Sequence, residues 1–126
     1  MTMIDVNTID GVEIALVEAD KPVISNFESA TVLLDTILNN SNAEGIIICE
    51  AGVNDKFFNP DGKFSNKIRD EFKKRGVKLC IYGNMNRFVG HPFHEFLYAA
   101  NNEGSLYFAE TQAEAINHIT GKDTEV

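Results

Sequence analysis

Apolar and polar residues alternate at the start of the chain and then change to a helical period. Met3–Thr8 reads as a strand, and Asp10–Gly11 is a turn signal leading into a second strand, Val12–Glu18, with Val12, Ile14 and Leu16 on one face. Ser25 and Glu28 have the spacing of a capping box. Phe27, Ala30, Leu33, Leu34, Ile37 and Leu38 then share a helical face as far as about Asn39. Gly45–Cys49 is continuously apolar, as a strand buried on both faces is. The segment from Glu50 to Asp61 is irregular and contains the adjacent pair Phe57 and Phe58. Phe64, Ile68 and Phe72 predict a second helix, with Gly76 as its C′ residue. Val77–Tyr82 predicts a fourth strand and Gly83–Gly90 a loop. Pro92 opens a third helix, whose apolar stripe is Phe93, Phe96, Leu97 and Ala100. Leu106–Ala109 predicts a fifth strand. Thr111 and Glu114 form a second capping box, opening a helix with Ala113, Ile116 and Ile119 facing inward.

The predicted order is ββαβαβαβα. It implies an α/β fold with a single mixed, mostly parallel five-stranded sheet, an antiparallel hairpin at one edge and four helices. Residues 1–120 are expected to form one domain, and 121–126 a polar tail. The 126 residues, 44% hydrophobic and 24% charged, suit one globular domain and exclude a disordered chain or a disulfide-stapled miniprotein. Apolar runs such as Ile46–Cys49 are far too short to cross a bilayer, so no membrane association is expected. The first ten residues hold no basic residue, which argues against a signal peptide. Cys49 and Cys80 sit in apolar runs and read as small core residues, and the expected location is the cytoplasm.

Charge is unevenly placed. The formal net charge is −8, yet nine of the eleven Lys and Arg residues lie between Lys56 and Arg87, a stretch with only three acids, Asp61, Asp70 and Glu71. The plain reading is a solvated basic helix face; the functional one is a surface for an anion or an acidic partner. Extended nucleic-acid contact is disfavoured, because the acidic remainder would repel the phosphate backbone.

The order of elements is similar to the STAS fold of sulfate transporters and anti-sigma-factor antagonists. More specifically, the chain resembles an uncharacterised bacterial domain-of-unknown-function family (number 4180). The residues carrying this resemblance are Phe57–Phe58, Ile68, Phe72, Val77–Lys78–Leu79, Gly83, Phe96, Tyr98, Asn101, Tyr107–Phe108 and Ala115. They are mainly core and turn positions. The STAS-like plan implies a regulatory binding module. In the phosphoswitch members a Ser or Thr at the start of the helix after the third strand is phosphorylated. The corresponding stretch here, Phe58–Gly62, has no hydroxyl; Asp61 is the nearest replacement and Ser65 lies further along the helix.

In parallel sheets ligands gather beyond the carboxyl ends of the strands. That edge is expected to collect the loops after strands three, four and five, with Glu50, Asn54, Asp55, Asn59, Asp61, Asn84, Asn86, Arg87 and His91. Arg87 could pair with an anion there while a carboxylate serves as a base; local turns are the plainer account of such Asn and Asp residues. His91 and His94 have metal-ligand spacing without an identifiable third ligand. Phe57 and Phe58 are adjacent, so either one is partly exposed as an anchor for a partner or a lid over a pocket, or both are tucked under the loop. The sequence assigns no catalytic residue, cofactor or metal, and favours a non-enzymatic regulatory or protein-interaction module. The expected contact surface is Asn54, Asp55, Phe57, Phe58, Asp61, Lys67, Lys74, Asn84, Arg87 and His91, and the expected partner is another protein or a second copy paired through the exposed hairpin edge. The alternative is a small-molecule or anion-binding domain with its site at the carboxyl edge of the sheet.

Overall fold

The computed structural model describes residues 2–59, 63–84 and 91–121, with the backbone alone at 91–93. Its first two strands, β1 (Thr2–Ile9) and β2 (Val12–Ala19), form an antiparallel hairpin in which Ile9 faces Val12 across the turn. Asp10 and Gly11 both take positive φ, 53° and 81°. A two-residue turn that matches the strand twist needs that backbone, which Asp and Gly adopt more cheaply than most residues.

Helix α1 (Phe27–Asn40) starts one residue later than the Ser25–Glu28 spacing predicts. Asn26 is its N-cap: the side-chain oxygen accepts from the Ser29 amide at 2.7 Å, and the Ser29 hydroxyl accepts from the Asn26 amide at 3.0 Å. A short hydroxyl at the third helical position thus makes the return bond usually assigned to a carboxylate. The remaining elements are β3 (Gly45–Cys49), two 3₁₀ turns at Glu50–Gly52 and Asp55–Phe58, α2 (Lys63–Lys74), β4 (Lys78–Tyr82), α3 (His91–Glu103), β5 (Leu106–Ala109) and α4 (Gln112–Thr120). Gly76, at φ 75°, ends α2 as expected. Its amide bonds to Lys73 O at 3.0 Å and that of Val77 to Phe72 O at 3.0 Å, the paired bonds of a Schellman motif.

The strands lie side by side in chain order, β1-β2-β3-β4-β5, and every pair after the hairpin is parallel. Ile46 and Ile48 of β3 pack in one cluster with Leu34 of α1, Ile68 and Phe72 of α2 and Ala100 of α3. Ile47 points the other way, into a cluster with Ile14, Cys80, Ala109, and Ala115 and Ile119 of α4. Three helices therefore cover one face and α4 the other, which is why β3 is apolar at successive positions. Gly45 marks the closest approach of α4, since a Cβ there would overlap the Ile119 side chain. Within α4, Ala115 and Ile119 are buried, Ile116 is half-buried and Ala113 is exposed. The expectation for Ala113 is thus corrected: the inward stripe of this short helix runs through positions four apart, 115 and 119.

Candidate interaction surface

The parallel register brings the connections after β3 and β5, and the start of the one after β4, to one rim of the sheet. Main-chain bonds brace this rim. The Val23 and Ile24 amides donate to Gly52 O, at 2.7 and 3.0 Å, and the Asn54 amide donates to Ile24 O at 2.9 Å. Glu50 reaches across to the next connection, where its carboxylate accepts from the Asn84 amide at 2.7 Å. Gly83 lies against that carboxylate at φ 150°, with no room for a Cβ. Asn54 caps the second 3₁₀ turn by accepting from the Lys56 amide at 2.9 Å. Asn54, Glu50 and the Asn84 backbone thus help to hold the rim together, while Asp55 is exposed on it.

Among the described residues, those of the sequence-predicted surface do not lie together in one patch. Phe57 and Phe58 are 0% and 3% exposed, so neither is a surface anchor. The 3₁₀ turn rotates successive side chains by about 120° rather than 180°, which lets neighbours both lean inward. Lys74 lies at the last residue of α2, roughly 16 Å along the helix axis from Lys63 and away from the rim. Asp61, Asn86, Arg87 and the His91 side chain lie outside the described residues, and His94 is exposed. Ser65 is 1% exposed, which closes it to a modifying enzyme in this conformation.

Much of the basic helix is engaged within the fold. Lys67 sits over the Phe27 ring, 4.9 Å from its centre. Arg69 pairs with Asp70 at 2.8 Å, and Arg75 pairs with both Asp35 and Glu71. Lys73 donates to Glu103 at 2.9 Å. The bond from Lys73, helped by the Ser105 amide and hydroxyl, holds the Glu103 carboxyl down at about 2. The contacts of Lys67 and Arg75 tie α2 and its C-terminal end to α1, and that of Lys73 ties it to α3, so the positive charge is partly a fastening between helices.

The open surface lies at the hairpin. Every residue of β1 except Ile9 is exposed, including Met3, Ile4 and Val6. Ile4 and Val6 stand on the face covered by α1, because they pair with Val17 and Ala15 of that core cluster. Val32 of α1 is 59% exposed beside them. Ile4, Val32, Leu33, Val23 and Thr2 help to line an open groove of about 520 Å³ between β1 and α1. A smaller recess of about 310 Å³ lies at the carboxyl ends of β2, β3 and β4, among Met3, Glu18, Asp20, Cys49 and Tyr82. There the Cys49 thiol donates to Ala19 O at 3.2 Å. Burial raises the Tyr82 phenol, and the nearby Cys49 and Glu18 raise it further.

The chain matches, over residues 9–119, the family described as Domain of unknown function (DUF4180). It belongs to that family. No curated protein and no solved structure matches it.

The matched segment of this DUF4180 chain starts at Ile9, the last residue of β1. Several residues that carry the family resemblance are structural, whereas Tyr98 is 74% exposed. Phe57 meets Phe58, Phe64 and Phe108 edge-on, with ring centres 5.9–6.4 Å apart. Phe58 and Phe96 also pack on Phe108, each at 5.7 Å. Asn101 closes the far edge of the DUF4180 sheet: its side chain donates to Phe108 O at 3.1 Å and accepts from Phe108 N at 2.7 Å. The two sheet edges therefore differ. β5 is a short strand with a side-chain clamp, and β1 is an eight-residue strand left open among the described residues. The sequence shows the hairpin edge but not the groove; Val32, an apolar residue next to the core residue Leu33 and outside the core stripe, is the signal for it.

Proposed function

We propose that this DUF4180 chain is a protein-interaction module with the regulatory character its STAS-like plan implies, and that it binds partners by adding a strand at the β1 edge. The single observation that carries this reading is the exposed edge strand beside the groove formed with Val32 and Leu33. An open edge supplies main-chain donors and acceptors for affinity, and an adjoining apolar groove supplies pockets for side chains.

The test is crosslinking of the full chain in cell extract, comparing wild type with Val6→Pro and Lys74→Glu. The Ile9–Val12 pair flanks a two-residue turn, so Val6 directs its amide away from β2. Proline there removes an outward donor while sparing the hairpin ladder. Loss of the crosslinked partner with Val6→Pro but not with Lys74→Glu is expected; the opposite pattern contradicts the reading.

The recess at Cys49 and Tyr82 favours a second reading, a small-molecule site at the carboxyl edge. Glu18 and Asp20 at its margin select against an anion and for a neutral or cationic molecule. A thermal-shift screen of small amines, alcohols and carboxylic acids tests it, because a ligand at a hundred times its dissociation constant adds about 2.7 kcal/mol. A shift lost on Tyr82→Ala supports this second reading, and a flat screen removes it.

A further inference from the structure

Resting on the strand-addition reading, we infer that a second copy of the same chain occupies the β1 edge, with Val6 on the two-fold axis. The hairpin fixes which groups are available. Ile9 pairs with Val12 beside the turn, so residues 3, 5, 7 and 9 exchange main-chain bonds with β2. Thr2, Ile4, Val6 and Thr8 direct theirs outward.

The strand is self-complementary when reversed about Val6. Reading outward from it, Asp5 meets Asn7, Ile4 meets Thr8 and Met3 meets Ile9. Each pair is chemically matched. A carboxylate faces a carboxamide that can donate to it, two β-branched residues face each other, and so do two apolar ones. An antiparallel pair in this register uses the outward groups of Ile4, Val6 and Thr8 on both copies. It places Asp5 opposite Asn7 at a non-hydrogen-bonded position, where side chains approach most closely. A two-fold isologous contact requires that self-complementarity.

The neighbouring registers that use the same outward groups are worse. Reversal about Asp5 sets the carboxylates of the two copies directly opposite each other, which is destabilising. Reversal about Ile4 sets Asp5 against Met3 and shortens the paired segment. Reversal about Asn7 sets Asp5 against the apolar Ile9. Asp5 is the only charged residue in β1, and the residue it faces differs in each of these registers. The result is one continuous sheet through both molecules, with Ile4, Val6 and Val32 of each copy lining a shared apolar channel.

The experiment is sedimentation equilibrium of the full chain over a wide concentration range, for wild type, Asn7→Asp and Asp5→Lys/Asn7→Asp. Asn7→Asp creates two symmetry-related carboxylate pairs only in the Val6 register, and is expected to weaken the dimer about tenfold. The double variant sets an ammonium group of one copy against a carboxylate of the other at the same two positions, and is expected to restore or exceed wild-type association. Since the rescued protein must fold to dimerise, rescue separates charge pairing from misfolding. A wild-type chain that stays monomeric at every concentration overturns the inference. So does a dimer that Asn7→Asp leaves unchanged, or one the double variant fails to rescue. If the chain is monomeric yet Val6→Pro still abolishes the crosslinked partner, strand addition stands and the second copy is excluded.

Discussion

Asn101 and Phe108 are joined by two hydrogen bonds, with the Asn101 carboxamide taking both the amide and the carbonyl of the strand residue. The carboxamide imitates the next strand for one residue, and so finishes the sheet on the β5 side. Asn101→Ala leaves both main-chain groups without that partner. The expected loss is about 1–3 kcal/mol in urea unfolding, as for a buried polar group deprived of its bond. Asn101→Asp retains an acceptor for the amide but sets a carboxylate against the carbonyl, and should recover only part of the loss.

The aromatic centre is expected to dominate stability. Phe57 and Phe72 are wholly buried, and either one changed to Ala should cost about 3–5 kcal/mol. Phe96 is only half-buried and should cost less. Equal losses at Phe72 and Phe96 in denaturant titrations would contradict this packing.

Gly45 tests the seat of α4. Gly45→Ala drives a methyl group into Ile119 and should destabilise by about 1–3 kcal/mol. Trimming Ile119 to Val in the same chain should recover part of that loss, and strictly additive effects would contradict direct contact.

Glu103 predicts an acid-sensitive fastening. Its carboxyl sits at about 2 in the folded chain, against 4.5 for the ordinary group. A depressed carboxylate stabilises the fold above its unfolded value, and the contribution is lost as pH falls from about 4.5 towards 2. The pair with Lys73 is partly solvated, so its worth is at most about 1 kcal/mol. Glu103→Gln should flatten the stability profile in that window when thermal unfolding is followed against pH.

How much of the fold is legible in the sequence depends on the range of the physics. Local signals are reliable: Asp10–Gly11 turns the hairpin, Gly76 ends α2 and Thr111 caps α4, each through contacts a few residues apart. The α1 cap lies one residue later than expected because Asn26 with Ser29 competes with Ser25 and Glu28 over the same turn. Phe57 and Phe58 are both tucked inward because adjacency implies opposite faces only in an extended strand, and they lie in a 3₁₀ turn. The scatter of the expected surface is a tertiary effect. Lys74 and Asn84 lie close in sequence, yet they stand at opposite ends of the βα unit. The groove beside Val32 depends on β1 standing at the sheet edge; Val32 marks an apolar spot on α1, but nothing within α1 records which strand meets it.

The open edge is tested most directly by residue-resolved amide hydrogen exchange along β1 at low and high protein concentration. Odd-numbered amides such as Asp5 and Asn7 should be protected at both concentrations, because they bond to β2. Ile4, Val6 and Thr8 should exchange fast in dilute solution and slow together as the chain is concentrated. Uniform protection along β1 at low concentration would contradict the open edge, and fast exchange at Val6 that concentration leaves unchanged would contradict its pairing with a second copy.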